Sequence, residues 1–223
     1  MARLMSTLAL AGLLRESAAL LDAALGGPVE ISLAPTKALE ARIRDGEQAD
    51  AALLTAESIA ALAEQGVLDG ATARPLAHSR IGIAVKAGAP LPDISDVAAL
   101  KRLLLEVPSL CYSRAGASGI FFAWLIERLG IAEAVNAKAI VIPQGFTAEK
   151  LLTGEASIAF QQISELMEVE GITVVGPLPE GAQTVAVFSG AAFAGSADGA
   201  RLVAAVAGLC TPGALQGKGL EAP

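Results

Sequence analysis

The chain has 223 residues, of which 53% are hydrophobic and only 4% aromatic, so its core must be built from small and branched side chains in close α/β layers. Its net charge is −7 and its 16 Lys and Arg are scattered, which leaves no basic footprint for nucleic acid. No apolar run reaches the roughly 20 residues that cross a bilayer, so membrane insertion is not expected.

In chain order, Ala2 to Met5 reads as a short strand and Ser6-Thr7 as a turn. Leu10, Leu13, Leu14, Ser17, Leu21 and Ala24 then fall at the spacing of one helical face. The same start, Met1-Ala2-Arg3 before an apolar stretch to Leu14, imitates a short signal peptide. Its removal would delete the first structural unit, so the chain is read as cytoplasmic, or as the trimmed mature form of a periplasmic protein. Val29 to Leu33 is a β-branched run, followed by Pro35-Thr36 and a helix from Lys37 to Arg44 that Gly46 stops. Ala51 to Leu54 is the next strand, then Thr55 and a helix from Ala56 to Gln65. Short strands alternating with helices predict parallel βαβ units.

The register changes near residue 80. Ile81 to Val85 is an apolar strand closed by Gly88-Ala89-Pro90-Leu91-Pro92-Asp93, and helix Val97 to Leu104 follows. Strand Ser109 to Tyr112, a Gly/Ser loop, helix Ile120 to Leu129, strand Ala139 to Ile142 and helix Thr147 to Leu152 come next. Strands Ile158 to Phe160, Ile172 to Val175 and Thr184 to Phe188 precede a last helix, Ala200 to Leu209. Cys111 and Cys210 lie far apart in apolar stretches, as buried free thiols do, and two such cysteines show no disulfide framework. His78 is the single histidine, so no metal and no cofactor are expected.

Right-handed crossovers put the strand-to-helix loops on one edge of a sheet, where ligands of open α/β sheets bind. The polar residues at those places are Ser6, Thr7, Thr36, Lys37, Thr55, the loop Ser113-Arg114-Ala115-Gly116-Ala117-Ser118-Gly119, Gln144-Gly145, and Gln161-Gln162. Several precede helices, whose free N–H groups and dipole attract anions. Ser6, Thr36, Thr55 and Ser118 read equally as plain N-caps. The Arg114 to Gly119 loop is neither GxGxxG nor a P-loop, which argues against nucleotides, and no Gly-x-Ser-x-Gly elbow accompanies the lone histidine. Asp50 and Asp93 read as turn and cap residues.

The order Ser6-Thr7, Pro35-Thr36, Ala49-Asp50 to Thr55, Gly82-Ile83-Ala84-Val85-Lys86-Ala87-Gly88-Ala89-Pro90-Leu91-Pro92-Asp93-Ile94, Ser118-Gly119, Leu129-Gly130-Ile131 and Val175-Gly176-Pro177-Leu178-Pro179 resembles the molybdate-binding-like branch of bacterial extracellular solute-binding proteins. The resemblance covers nearly the whole chain. It implies a type 2 periplasmic binding protein, an α/β fold of two Rossmann-like lobes joined by two crossing hinge strands near Arg80 to Val85 and Thr184 to Ser189. Lobe one would hold residues 1–80 and 189–223, and lobe two 81–188, with a ligand in the cleft between them. In the molybdate binders, neutral hydroxyl and backbone donors hold the oxyanion, and Ser6 or Thr7, Thr36 and Ser118 match those places.

The chain departs from that pattern at Lys37, Arg80 and Arg114, which lie at or beside the implied cleft, and at Gln161, which stands where a tyrosine is expected. Cations and planar amides suit carboxylates. The expected ligand set is therefore Ser6, Thr7, Thr36, Lys37, Thr55, Arg80, Arg114, Ser118, Gly119, Gln144 and Gln161, around a small anion of the di- or tricarboxylate class. The chain would act as a monomeric solute-binding protein serving an ABC permease or a sensor. A divergent branch of the family resembles aconitate isomerase, so isomerisation of an unsaturated tricarboxylate by a 1,3-proton shift is the alternative, although no Glu, Asp or His sits in these loops as a base. Molybdate or tungstate binding is the second alternative.

Overall fold

The computed structural model describes residues 1–223. The chain divides into two compact units, the first formed by Met1–Ser79 with Ala186–Pro223 and the second by Arg80–Val185.

The first unit opens with β1 (Ala2–Ser6) and a 3-10 turn (Leu8–Leu10), followed by α1 (Ala11–Glu16), α2 (Ala18–Leu25), β2 (Val29–Leu33), α3 (Thr36–Arg44), β3 (Ala51–Thr55) and α4 (Ala56–Glu64). β2, β1 and β3 are parallel neighbours in that order, with Leu4 level with both Ile31 and Ala51. Successive side chains of a strand point to opposite faces. Leu4 and Leu53 accordingly join Leu10, Leu14 and Leu21 in one core, and Met5 and Leu54 join Leu39, Ile43, Ile59 and Leu62 in another. Helices cover both faces, which is why these strands read as continuous apolar runs. The first helix is not the single segment expected from its periodicity. Ser17, with φ −97° and ψ 8°, divides it into α1 and α2, and serine holds a helix interior weakly.

β4 (Leu68–Lys86) crosses from the first unit to the second. Only its end, from Ile81, was legible as a strand. Asp69, Gly70 and Pro75 punctuate the earlier part, and proline cannot donate to a ladder, so they mark turns unless the strand lies at an edge. The second unit continues with α5 (Val97–Glu106), β5 (Leu110–Ser113), α6 (Ala117–Arg128), α7 (Ala132–Asn136), β6 (Ala139–Ile142), α8 (Glu149–Leu152), β7 (Ile158–Gln162), α9 (Ile163–Leu166) and β8 (Ile172–Pro177). β6, β5 and β7 are parallel, whereas β4 runs antiparallel to both β7 and β8, so this sheet is mixed and not wholly parallel as the alternation implied. Ile81, Ile83, Tyr112, Phe122 and Phe160 share one core. The Phe122 ring lies 4.3 Å from that of Phe160 and 4.9 Å from that of Tyr112. Ala84, Cys111, Ala148, Leu151, Ala159 and Leu166 fill the other face.

The chain returns through β9 (Val185–Phe193), which pairs antiparallel with β3, then α10 (Gly199–Leu209), α11 (Pro212–Gln216) and β10 (Leu220–Glu221), which pairs with Ser79 and His78 of β4. Both cysteines are free thiols. Burial pushes the Cys111 thiol up to about 12 and the Cys210 thiol up to about 11, so neither is a nucleophile near neutrality.

The β5–α6 turn is the tightest feature of the second unit. A Cβ on Gly119 would lie 1.6 Å from the Ser113 carbonyl oxygen, which the backbone cannot yield, while one on Gly116 would meet only side-chain atoms, the nearest being Ser113 Oγ at 2.8 Å. Gly119→Ala is therefore expected to destabilise the second unit by about 3 kcal/mol or more and Gly116→Ala by about 1 kcal/mol. Urea denaturation followed by the fluorescence of Trp124, the single tryptophan and part of α6, checks this. Equal costs at the two positions would show that the turn is not packed as described.

Candidate functional site

In the first unit, the ends of β1 and β2 bring three hydroxyls together. Ser6, Thr7 and Thr36 are all buried. Thr36 Oγ1 donates to Thr7 Oγ1 at 3.4 Å, and Ser6 Oγ donates to the Thr7 carbonyl at 3.1 Å. None of them caps a helix by its side chain. Pro35 occupies the N-cap of α3, and Thr36 is its first helical residue. Because Thr7 Oγ1 accepts from Thr36, its own proton remains to be donated outward, and this pair forms a relay of neutral donors.

Thr55 and Lys37 have another role. Thr55 is a true N-cap, accepting from Ser58 N at 3.4 Å, and its hydroxyl lies 2.9 Å from Ser58 Oγ. Ser58 Oγ in turn donates to the buried carboxylate of Glu40. Since Ser58 gives its proton to Glu40, it must accept from Thr55, so the Thr55 proton is committed within the unit. Lys37 Nζ lies 2.9–3.0 Å from the two Glu40 oxygens, and Arg44 lies 3.2 Å from the same group. Burial alone would raise the Glu40 pKa, but the Ser58 hydrogen bond and the charges of Lys37 and Arg44 outweigh it and hold the group below the usual carboxylate value. The i, i+3 and i, i+4 spacing of these three residues on α3 was a readable signal that Lys37 has a partner of its own.

In the second unit, the Ser113–Gly119 loop closes around two hydroxyls. Arg114 N donates to the Ile142 carbonyl at 2.8 Å, tying the loop to β6, and its side chain is exposed. The guanidinium acts on Tyr112: burial raises that phenol's pKa, and the Arg114 charge opposes the rise. Gly116, the N-cap of α6, lies close to both Ser113 Oγ and Ser118 Oγ. Each serine is only 2% exposed, and neither hydroxyl makes a hydrogen bond within the protein.

The two glutamines at the end of β7 diverge, as alternation requires. Gln161 Oε1 accepts from Thr147 N at 2.7 Å and Thr147 Oγ1 at 3.0 Å, and its Nε2 donates to the Gly145 carbonyl at 3.0 Å. It latches the loop that carries Gln144, itself an exposed side chain. Gln162 pairs with Ile81 and so faces the Phe122 side of the sheet. It is 2% exposed and forms the capping box of α9 with Glu165, its side chain accepting from the Glu165 backbone N–H, and the hydroxyl of the buried Ser164 makes no hydrogen bond within the protein. Arg80 lines a concavity of about 430 Å³ with Pro177, Leu178, Gly181, Gln183 and Thr184.

Sequence reasoning passed over Glu165, whose spacing from Gln162 is that of a capping box. Its Oε2 accepts from Gln162 N at 3.4 Å, it bonds the Gln161 side chain, and it is 5% exposed. Burial pushes its carboxyl up to about 7, against those two hydrogen bonds. No three of His, Cys, Asp and Glu gather as metal ligands do. What the second unit presents is a set of neutral donors and acceptors with one titratable carboxyl nearby and one exposed guanidinium on the same loop as Ser118.

This geometry can be set beside known proteins. The profile of bacterial extracellular solute-binding proteins matches residues 2–220. An aconitate isomerase from a Pseudomonas species is 34% identical over 186 residues, which cover 81% of this chain and 71% of that protein. Among solved structures, the periplasmic molybdate-binding protein of Azotobacter vinelandii superposes with a TM-score of 0.81 at 16% identity over all of both chains. PEB3 with bound L-phospholactate, from Campylobacter jejuni, does so with a TM-score of 0.73 at 13% identity, again over all of both. The fold is thus the α/β fold of periplasmic binding proteins, and the chain belongs to the family of bacterial extracellular solute-binding proteins.

Proposed function

We propose that the protein binds a small organic di- or tricarboxylate, using hydroxyl and backbone donors at strand ends, and that it serves an ABC-type uptake system or a sensor from the periplasm. The observation that carries this reading is the pair of buried hydroxyls on the β5–α6 turn, Ser113 and Ser118, that have no partner in the protein. A buried polar group left unpaired costs on the order of 1–3 kcal/mol, so two of them on one turn call for a polar ligand. Arg114 distinguishes a carboxylate from a metal oxyanion, since it places a planar bidentate donor on the loop that carries Ser113 and Ser118. The charge of Lys37 is answered by Glu40.

Calorimetric titration with di- and tricarboxylates, molybdate, tungstate and sulfate tests the reading. At least one carboxylate is expected to bind in the micromolar range or tighter. Arg114→Ala is expected to weaken that binding by about 1.5–3 kcal/mol while the ligand-free stability moves by less than about 0.5 kcal/mol. Tight molybdate or tungstate binding with no response to any carboxylate would overturn it.

A second reading is favoured by the 34% identical aconitate isomerase together with Glu165. In a 1,3-proton shift, a C–H bond next to a carboxylate breaks, its proton passes to a base, the electron pair moves through the double bond, and a proton is delivered to the far carbon. A carboxyl near 7 is poised to take and return that proton. Glutamine at position 165 keeps the helix cap and removes the titration. Glu165→Gln is therefore expected to leave tricarboxylate binding within about threefold and to abolish deuterium uptake into aconitate from heavy water. It also carries a pH signature. A carboxyl raised from about 4.3 to about 7 on folding keeps its proton in the folded state only, so stability falls as pH rises through that window. Melting of the wild type should decline between pH 5 and 8, and the variant should decline less. No deuterium uptake by the wild type would remove the isomerase reading and leave the binding one.

A further inference from the structure

The buried amide of Gln161 stands between a titratable group and a loop. Gln161 lies two residues beyond Ala159 on β7, so it faces the side of the sheet that Cys111, Ala148 and Leu166 fill. Its Oε1 accepts from Thr147 N at 2.7 Å and from Thr147 Oγ1 at 3.0 Å. One Nε2 proton goes to the Gly145 carbonyl at 3.0 Å. The other is left for Glu165, whose carboxylate bonds this side chain and can only accept.

These partners fix the orientation of the amide. Half a turn would set its nitrogen against the two Thr147 donors and its oxygen against the Gly145 carbonyl and the Glu165 carboxylate, all repulsive contacts in a buried place. Whatever strengthens the Glu165 contact therefore holds the amide where it receives Thr147 and Gly145. Ionisation does so, because a hydrogen bond to a charged acceptor is about twice as strong as a neutral one. Burial pushes the Glu165 carboxyl up to about 7, so both of its states are populated near neutrality. No other charge takes part. β7 and β8, against which α9 packs, bear no titratable side chain, and neither do residues 82–85 of β4, where Gly82 meets Ile163. Glu149 and Lys150 on α8 and Glu168 beyond α9 do not shift this carboxyl.

We propose that Gln161 is a positioning residue that makes the ionisation of Glu165 and the seating of loop 145–147, directly after Gln144, one equilibrium. The ionised carboxylate seats the loop, and the protonated one loosens it. The coupling belongs to the ligand-free protein, so it goes beyond the carboxylate reading and is tested apart from it.

The Thr147 amide reports the latch directly, because its N–H donates to Gln161. Its hydrogen exchange, followed by NMR and corrected for the base-catalysed intrinsic rate, is expected to show protection rising about fivefold between pH 6 and 8 in the wild type. Global opening gives the opposite sign, since a carboxyl raised on folding makes the fold lose stability as pH rises through that window. Glu165→Gln is expected to make the Thr147 protection independent of pH. By linkage the effect is reciprocal. Gln161→Met, which removes the amide donor, is expected to raise the proton affinity of the Glu165 carboxyl about fivefold, read as the carbon NMR titration that disappears in Glu165→Gln. Thr147→Val, which withdraws one donor from the amide and keeps the shape, is the second variant should the first fold poorly, and is expected to move the same titration in the same direction. A Gln161 that merely packs would lower Thr147 protection equally at every pH when replaced and leave the carboxyl titration where it is. Protection that is flat with pH or falls as pH rises in the wild type, or a titration that neither variant moves, overturns the proposal and leaves the carboxylate reading intact.

Discussion

The second unit is organised around a close backbone approach. Gly119 packs against the Ser113 carbonyl so tightly that no Cβ fits, and the turn this creates brings the end of β5 directly under the start of α6. That approach buries Ser113 and Ser118 together, sets the first turn of α6, and through the Phe122–Phe160 contact fixes where α6 lies on β7. A looser turn would admit water to the two serines, so the polar character of the turn depends on a steric constraint between two backbone segments.

One buried network in the first unit and one turn in the second handle polarity in opposite ways. In the first, Glu40 is enclosed but fully answered by Ser58, Lys37 and Arg44, and Thr55 is drawn into the same network. Taking one member away would strand a buried charge, which is far costlier than losing an exposed pair, so the network behaves as a scaffold. In the second, the Ser113 and Ser118 hydroxyls are enclosed and unanswered. Natural proteins leave few such groups, and those that remain concentrate where something binds. The contrast also separates the glutamines. Gln161 and Gln162 are adjacent and both buried, yet alternation sends one to Thr147 and Gly145 and the other to the α6 side.

Much of this was legible in the sequence. The apolar runs Ala51–Leu54 and Ile158–Phe160 and the Gly/Ser loop after Tyr112 announced strands and a helix N-terminus by local chemistry alone. The course of β4 before Ile81 was not legible, because a segment bearing Gly70 and Pro75 reads locally as a turn and becomes a strand only through its partners. The mixed direction of the second sheet escaped for a related reason: direction is set by which strands meet, and short apolar runs carry no sign of it. Ser6, Thr7, Thr36 and Ser118 could be listed by position, but only coordinates show which hydroxyls are bonded internally. Glu165 was readable as a cap from its spacing, while its burial, and hence its proton affinity, depends on tertiary packing.

The division between bonded charges and unbonded neutral groups bears on how such a protein discriminates. An exposed guanidinium such as Arg114 meets a distant anion through water and is screened by salt, and its bidentate geometry counts only once the ligand is in contact. A buried hydroxyl adds little to attraction at a distance, but a wrong ligand leaves it unpaired in a place water cannot reach, and that penalty is paid in full. In this chain two such hydroxyls, Ser113 and Ser118, lie at the end of β5 and the start of α6, held in place by a glycine contact that leaves no room for adjustment.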